Sequence, residues 1–367
     1  MLFKVKIEKM IACWTFCLFE IFYFLTRVVR MPGIIANFGI ALLGIIGFGL
    51  CICFPYKILK SNVILFASVL SCFFLVSNLY TENSDYAEIM WIWAYMGVAM
   101  LIINFAIPYW LAGGIYYGVC GYFLGCWIRG VPPQEVITIG SRNSVSAIVI
   151  AYMLIYLLIL YMQRERIDLF AAIISLIICL WGVGRAGILA MLFMNFCLVV
   201  YSLGRKQGKF TLVLYVFLIG IASWGIYRYG KTVVEMTVNR FLQMGVKDVR
   251  TKFFQSYLAD CRYICNLLFG VPFQESLVLK DYYNPHNSWL MLHAKFGIVP
   301  TIIVIGVLLK KIVWLLKRNK WIYLLIIAVA FLRCSFDWLS FNGLFDVLWW
   351  LLILSVIAAR RRLEDEN

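Results

Sequence analysis

The chain has 367 residues, of which 64% are apolar and only 14% charged, with a formal net charge of +15. Soluble domains run about 45–50% apolar and about 25% charged, so a soluble enzyme, a coiled coil, a disordered chain and a nucleic-acid-binding module are excluded. Most of the twelve cysteines lie inside apolar runs, as Cys51, Cys53, Cys72, Cys179 and Cys197 do, and act there as small apolar residues. No Cys/His spacing suggests zinc.

A spanning helix needs about 20 mostly apolar residues. In chain order, twelve stretches meet this pattern: 10–26, 33–55, 62–79, 87–106, 109–127, 143–162, 167–183, 186–203, 209–227, 288–309, 321–337 and 344–359. Glu20 interrupts the first, and no small-residue cleavage site follows it, so it reads as an anchor and not a signal peptide. The stretch at 167–183 is short, and the junction around Pro108 is tight enough for a re-entrant bend. The predicted fold is all-α and polytopic, with about twelve transmembrane helices and one large extracytoplasmic loop before the last three. The predicted units are 1–227 (helices), 228–287 (loop) and 288–367 (helices and cytoplasmic tail).

Orientation follows the Lys/Arg bias of short loops. With the N-terminus inside, the inner segments hold Lys4, Lys6, Lys9, Lys57, Lys60, Arg164, Arg166, Arg205, Lys206, Lys209, Lys310, Lys311, Lys317, Arg318, Lys320 and Arg360 to Arg362. The short outer loops hold Arg27, Arg30, Arg129, Arg142 and Arg185, with no lysine. Most of the positive charge is therefore topological, and nucleic acid is not needed to explain it. The long segment 228–287 carries Arg228, Lys231, Arg240, Lys247, Arg250, Lys252, Arg262 and Lys280 against five acids. An outer face this basic suggests an anionic ligand, because the planar fork of Arg donates paired hydrogen bonds to phosphate. Binding of lipid head groups would use the same residues.

The loop ends in Tyr282-Tyr283-Asn284-Pro285-His286-Asn287-Ser288-Trp289. Pro285 fixes the backbone, and Asn287 or Ser288 can cap the helix that follows. His286 then sits at a helix N-terminus, which favours anions and disfavours a charged imidazole. A neutral histidine beside phosphate can accept a proton. His293, two turns further on, reads as a buried packing residue. Arg333 and Asp337 stand at i,i+4 and read as a structural pair. Lys295 either snorkels outward or faces a cavity. Cys261 and Cys265, one turn apart, read as free thiols, and Val233–Gln243 and Lys247–Cys265 carry helical spacing suited to a partial lid.

His286-Asn287, nine residues, Gly297, two residues and Pro300 resemble the H-[NSQ]-x9-G-x-x-[GTY] pattern of the O-antigen polymerase and O-antigen ligase superfamily, departing at Pro300. Gly184-Arg185-Ala186-Gly187 resembles the family's SRxG element, Asn266-Leu267-Leu268-Phe269-Gly270-Val271-Pro272 its n-x-x-fGvG turn, and Ser141-Arg142-Asn143 opens a helix. The resemblance implies a glycosyltransferase of the bacterial plasma membrane with both termini cytoplasmic. It would join undecaprenyl-pyrophosphate-linked oligosaccharide repeat units into surface polysaccharide, by inverting transfer at the periplasmic or exterior face, without metal or cofactor. His286, Arg142 and Arg185 would be catalytic. Arg240, Arg250, Asn287, Tyr283, Arg27 and Arg30 would bind substrate. Partners would be the lipid-linked oligosaccharide, membrane lipids and a chain-length regulator. A ligase moving the finished chain onto lipid A-core fits the same motif. A flippase is a further alternative, although the two halves show no internal repeat. A metal-dependent transferase would have to draw on Glu82, Asp85 and Glu88.

Overall fold

The computed structural model describes residues 2–54, 61–138, 143–203, 249–341 and 343–365, and among them every regular element is helical. The long helices are α1 (Leu2–Val28), α2 (Gly33–Cys53), α3 (Ser61–Thr81), α4 (Ile89–Asn104) and α5 (Tyr109–Ile128). A short α6 (Pro133–Val136) precedes α7 (Asn143–Arg164), α8 (Leu169–Trp181) and α9 (Arg185–Leu203). Then come α10 (Val249–Asp260), α11 (Ile264–Phe269), α12 (Ser288–Phe296), α13 (Ile298–Lys317), α14 (Trp321–Cys334) and α15 (Phe345–Asp365). Among the described residues, eight helices are long and apolar enough to cross a membrane, namely α1 to α5, α7, α9 and α13. A helix is the form in which a single segment satisfies its own backbone groups in lipid. Helix α8, helix α14 and the Phe345–Ser355 part of α15 are shorter apolar helices. The expected span at 209–227 lies outside the described residues.

One expectation is corrected. The stretch 288–309 is not one helix. Gly297 (φ 77°, ψ −177°) ends α12 and starts α13, so the membrane-length segment runs over Ile298–Lys317. The junction at Pro108 is a tight turn between two separate helices, with Pro108 at the N-cap of α5. The end of α7 pins that turn: Gln163 Nε2 donates to the Ile107 carbonyl (2.6 Å) and its Oε1 accepts from the Tyr109 amide (3.1 Å).

Helix α7 runs through the middle of the bundle, 94% buried over its apolar window. A helix apolar on every side is stable only when other helices surround it, and α7 touches α5, α8, α9, α14 and α15. Helix α2 packs closely on α4 at Gly44, Ala94 and Gly97, where any added Cβ would overlap the facing backbone. Small residues serve helix association in lipid by this close approach.

Outside the main bundle, α10 and the following loop form a second, small core. Phe253 and Tyr257 of α10 pack there on Val271, Phe273, Leu279, Met291 and Ala294. The expected helix at Lys247–Cys265 is thus α10 with the start of α11, whereas Val233–Gln243 lies outside the described residues. The chain from α3 ties this unit down. Ser77 Oγ donates to the Phe269 carbonyl, and Tyr80 Oη donates to Asn266 Oδ1 at 2.7 Å. Asn83 Nδ2 donates to the carbonyls of Val271 (2.8 Å) and Ala294 (3.1 Å), while its Oδ1 accepts from the Phe273 amide (2.9 Å).

Candidate functional site

The site begins at the first turn of α12. Asn287 is its N-cap, accepting from the amides of Trp289 (2.8 Å) and Leu290 (3.2 Å). His286, just before the cap, adopts φ +50° and donates its amide to Asn284 Oδ1 at 2.7 Å. The helix start is then laced to the loop after α14. Asn287 Nδ2 donates to the Ser335 carbonyl (3.0 Å). Ser288 Oγ donates to the Asp337 carbonyl (2.8 Å) and accepts from the amides of Leu339 (2.9 Å) and Ser340 (3.2 Å). This lacing brings Asp337 to His286, with Oδ1 3.5 Å from Nδ1. The imidazole stacks on Phe253 of α10 at 5.6 Å and 18°, and its side chain stays 35% exposed.

Asp337 also faces the cations. Arg333, one turn earlier, reaches its Oδ2 at 3.4 Å through Nη2, which donates to the Asn143 carbonyl (3.1 Å) as well. Arg333 is buried, and its Nε and Nη1 have no hydrogen-bond partner among the described residues. Arg185 and Arg250 line the same small cavity of about 50 Å³, with Asn143, Gly184, Gly187 and Asp337. Gly184 and Gly187 lie against Ser146, where a Cβ would collide. They let the start of α9 approach α7 and put Arg185 beside Asn143. Three guanidinium groups against one carboxylate leave these lining side chains at +2, a balance suited to a multiply charged anion. Burial raises the Asp337 carboxyl, but the His286 hydrogen bond and the charges of Arg333 and Arg250 outweigh it. The group is held below the ordinary carboxylate range. An ionised Asp337 only accepts, so His286 donates through Nδ1 in this contact.

Asp337 and His286 line a second cavity as well, about 490 Å³ in volume, together with Tyr23, Arg27, Ser144, Trp338 and Leu344. Arg27 donates to Tyr23 Oη at 3.1 Å and lies 4.9 Å from that ring. Tyr23 Oη also accepts from the Leu344 amide (3.1 Å), which fixes the ring and the arginine it holds.

The structure therefore places Arg185 and Arg250 on one small cavity with Asp337, sets His286 3.5 Å from that carboxylate and puts Arg27 on the adjoining cavity. Arg142 and Arg240 lie outside the described residues. Arg30 and Tyr283 are exposed and line neither cavity. Asn287 serves as cap and crosslink, its amide engaged at both ends. Arg333 and Asp337 form the helical pair that their spacing predicts, and that pair also lines the small cavity. Their signal was an ionisable pair at the end of an apolar helix, where charge marks function by default. His293 is indeed buried: its Nδ1 accepts from Tyr257 Oη (2.6 Å) and its Nε2 donates to the Leu267 carbonyl (2.8 Å). Lys295 does not snorkel outward and lines neither of the two cavities. It is buried in an ion pair with Glu88 at 2.5 Å and lies 4.5 Å from the Trp338 ring. Asp85 caps the turn before α4 by accepting from the Ala87 amide (2.9 Å). Cys261 and Cys265 are free thiols.

The glycines that carried the resemblance have a shared physical role. Gly270 (φ 103°, ψ 160°) and Gly297 (φ 77°, ψ −177°) both occupy a backbone region that essentially only glycine enters. A Cβ on Gly270 would strike the Ala294 carbonyl, and one on Gly297 the Leu268 carbonyl. The ends of α11 and α12 thus cross backbone to backbone, which sets the position of the turn below His286.

No protein-family model, curated protein or solved structure matches the chain. Among the described residues, fold and site together define a helical protein with apolar helices of membrane-spanning length, a small basic cavity lined by three arginines and Asp337, and a larger cavity that shares Asp337 and is lined by His286.

Proposed function

We propose that this chain is a polysaccharide polymerase joining undecaprenyl-pyrophosphate-linked oligosaccharide repeat units. The observation that carries the reading is that Arg185, Arg250 and Arg333 line one small cavity with Asp337, whose other carboxylate oxygen lies 3.5 Å from His286. It adds to the motif resemblance a site whose charges suit a sugar pyrophosphate. In this reading the pocket faces outside the plasma membrane and both termini are cytoplasmic, in keeping with the basic short loops at the opposite end.

His286 Nε2 takes the proton of an acceptor hydroxyl, and Asp337 holds the ring and stabilises the imidazolium formed. The hydroxyl oxygen bonds to the anomeric carbon of the donor from the face opposite the pyrophosphate, so the configuration inverts. The carbon–oxygen bond to the pyrophosphate breaks, and the bonding pair leaves with it. Arg185, Arg250 and Arg333 neutralise the charge that grows on the leaving group. Fixing two lipid-anchored reactants against each other supplies much of the remaining acceleration.

The test is His286→Ala in the native host, with membrane levels checked by blot and surface glycans run on a gel beside the undecaprenyl-linked intermediates. The expected result is acceptors capped with single repeat units. Long chains accumulating on undecaprenyl pyrophosphate would instead make the enzyme a ligase. An unchanged ladder would remove His286 from the mechanism.

A further inference from the structure

Away from the arginine pocket, α10, α11 and the end of α3 enclose an open cleft of about 430 Å³. Its chemistry differs from that of the pocket. Tyr80 and Tyr263 line it as exposed rings, Tyr263 at 71% exposure, with Asp260, Asn266, Glu275 and Ser276 among the polar groups. Among the described residues no lysine or arginine lines it. Its walls are braced: Ser276 Oγ donates to Asp260 Oδ2 (2.7 Å), Asn266 Nδ2 to the Asp260 carbonyl (3.0 Å), and Tyr80 Oη to Asn266 Oδ1 (2.7 Å). Exposed aromatic faces beside rigid carboxylate and amide groups are the chemistry that binds sugar rings, because C–H faces stack on the ring while hydroxyls meet the acceptors.

Helix α10 links the two sites. It carries Arg250 and Phe253 at the reaction end and Asp260 at the cleft. Ten residues at 1.5 Å rise set these ends about 15 Å apart, a gap that an oligosaccharide crosses and a single sugar does not.

We infer that this cleft is a second saccharide-binding site, which holds uncharged sugar units of a glycan whose reacting end lies in the arginine pocket. It rests on the proposed polymerase reading for its biological ligand, but not for its chemistry. The acidic lining excludes uronic acid or phosphorylated units from the cleft, whereas the arginine pocket selects an anion. The site thereby sorts the two parts of one substrate by charge.

The experiment uses the full chain in lipid nanodiscs. The probe is the repeat-unit oligosaccharide released by mild acid from the host's lipid-linked intermediates, followed by saturation-transfer NMR and calorimetry. Wild type binds, and Tyr263→Phe binds equally well. Tyr263→Ala and Glu275→Gln, both at exposed positions where folding is not at stake, each weaken binding at least tenfold. Absent binding by the wild type, or unchanged binding by both of those variants, overturns the inference. The polymerase reading is judged separately by the His286→Ala ladder: an unchanged ladder with a binding cleft would leave the saccharide site standing and the proposed reaction refuted.

Discussion

Replacing Asp337 by Asn tests the core of the proposed chemistry. The amide keeps the shape of the side chain and an oxygen facing His286, but it removes the charge that meets both His286 (3.5 Å) and Arg333 (3.4 Å). Stabilisation of the imidazolium is lost, and with it part of a proton transfer worth about 10²–10⁴-fold. The structure points to the lower end, because Phe253 still stacks on the ring. A fall in kcat of about 10²-fold corresponds to about 2.7 kcal/mol. Donor binding moves the other way: the lining charge of the small cavity rises from +2 to +3, so KM for the lipid-linked donor stays level or falls. Stability adds a pH signature. The native carboxyl titrates below its ordinary value, so its contribution is complete above the unfolded value of about 3.9 and disappears as pH falls through the lowered native value. Wild type should therefore melt above Asp337→Asn at pH 7, and the gap should close in acid. The assay is polymerisation of purified lipid-linked repeat units by protein in nanodiscs, with kcat and KM resolved, beside thermal melts across pH. A variant with wild-type kcat at pH 7 would refute the role given to Asp337. A raised donor KM with unchanged kcat would refute the charge argument.

Gly297→Ala forces a Cβ into both a glycine-only conformation and the Leu268 carbonyl; it should cost at least about 1–3 kcal/mol, seen as a lower melting temperature. A wild-type melt would mean that the backbone crossing is not a constraint. Arg185→Lys keeps the charge but loses the planar fork, and donor KM should rise about tenfold (about 1.4 kcal/mol) while expression holds; an unchanged KM would place Arg185 outside the pyrophosphate contacts. Lys295→Met removes the buried cation that Glu88 meets at 2.5 Å. Single removal from a buried pair costs about 3–5 kcal/mol, so Lys295→Met with Glu88→Gln should melt higher than Lys295→Met alone, and strict additivity would show that the two side chains do not couple.

The sequence by itself determined the membrane class, because apolar runs of spanning length have no other stable place. It also marked His286 and Arg185 through residue type and motif, and the cap at Asn287 through local helix chemistry. Local patterning fails where a contact is made between distant segments. Nothing in hydropathy distinguishes 288–309 from a continuous span; Gly297 breaks it because the Leu268 carbonyl, contributed by another helix, occupies the space a side chain would need. Lys295 appears as a cation on an apolar helix until Glu88, far away in the chain, is seen to meet it. Arg333 and Asp337 form a good helical pair on spacing alone. Only the three-dimensional packing of α7, α9, α10 and α14 brings Arg185, Arg250 and His286 around that pair. Charge–charge contacts of this kind depend on distances between chain segments, which a one-dimensional pattern does not contain.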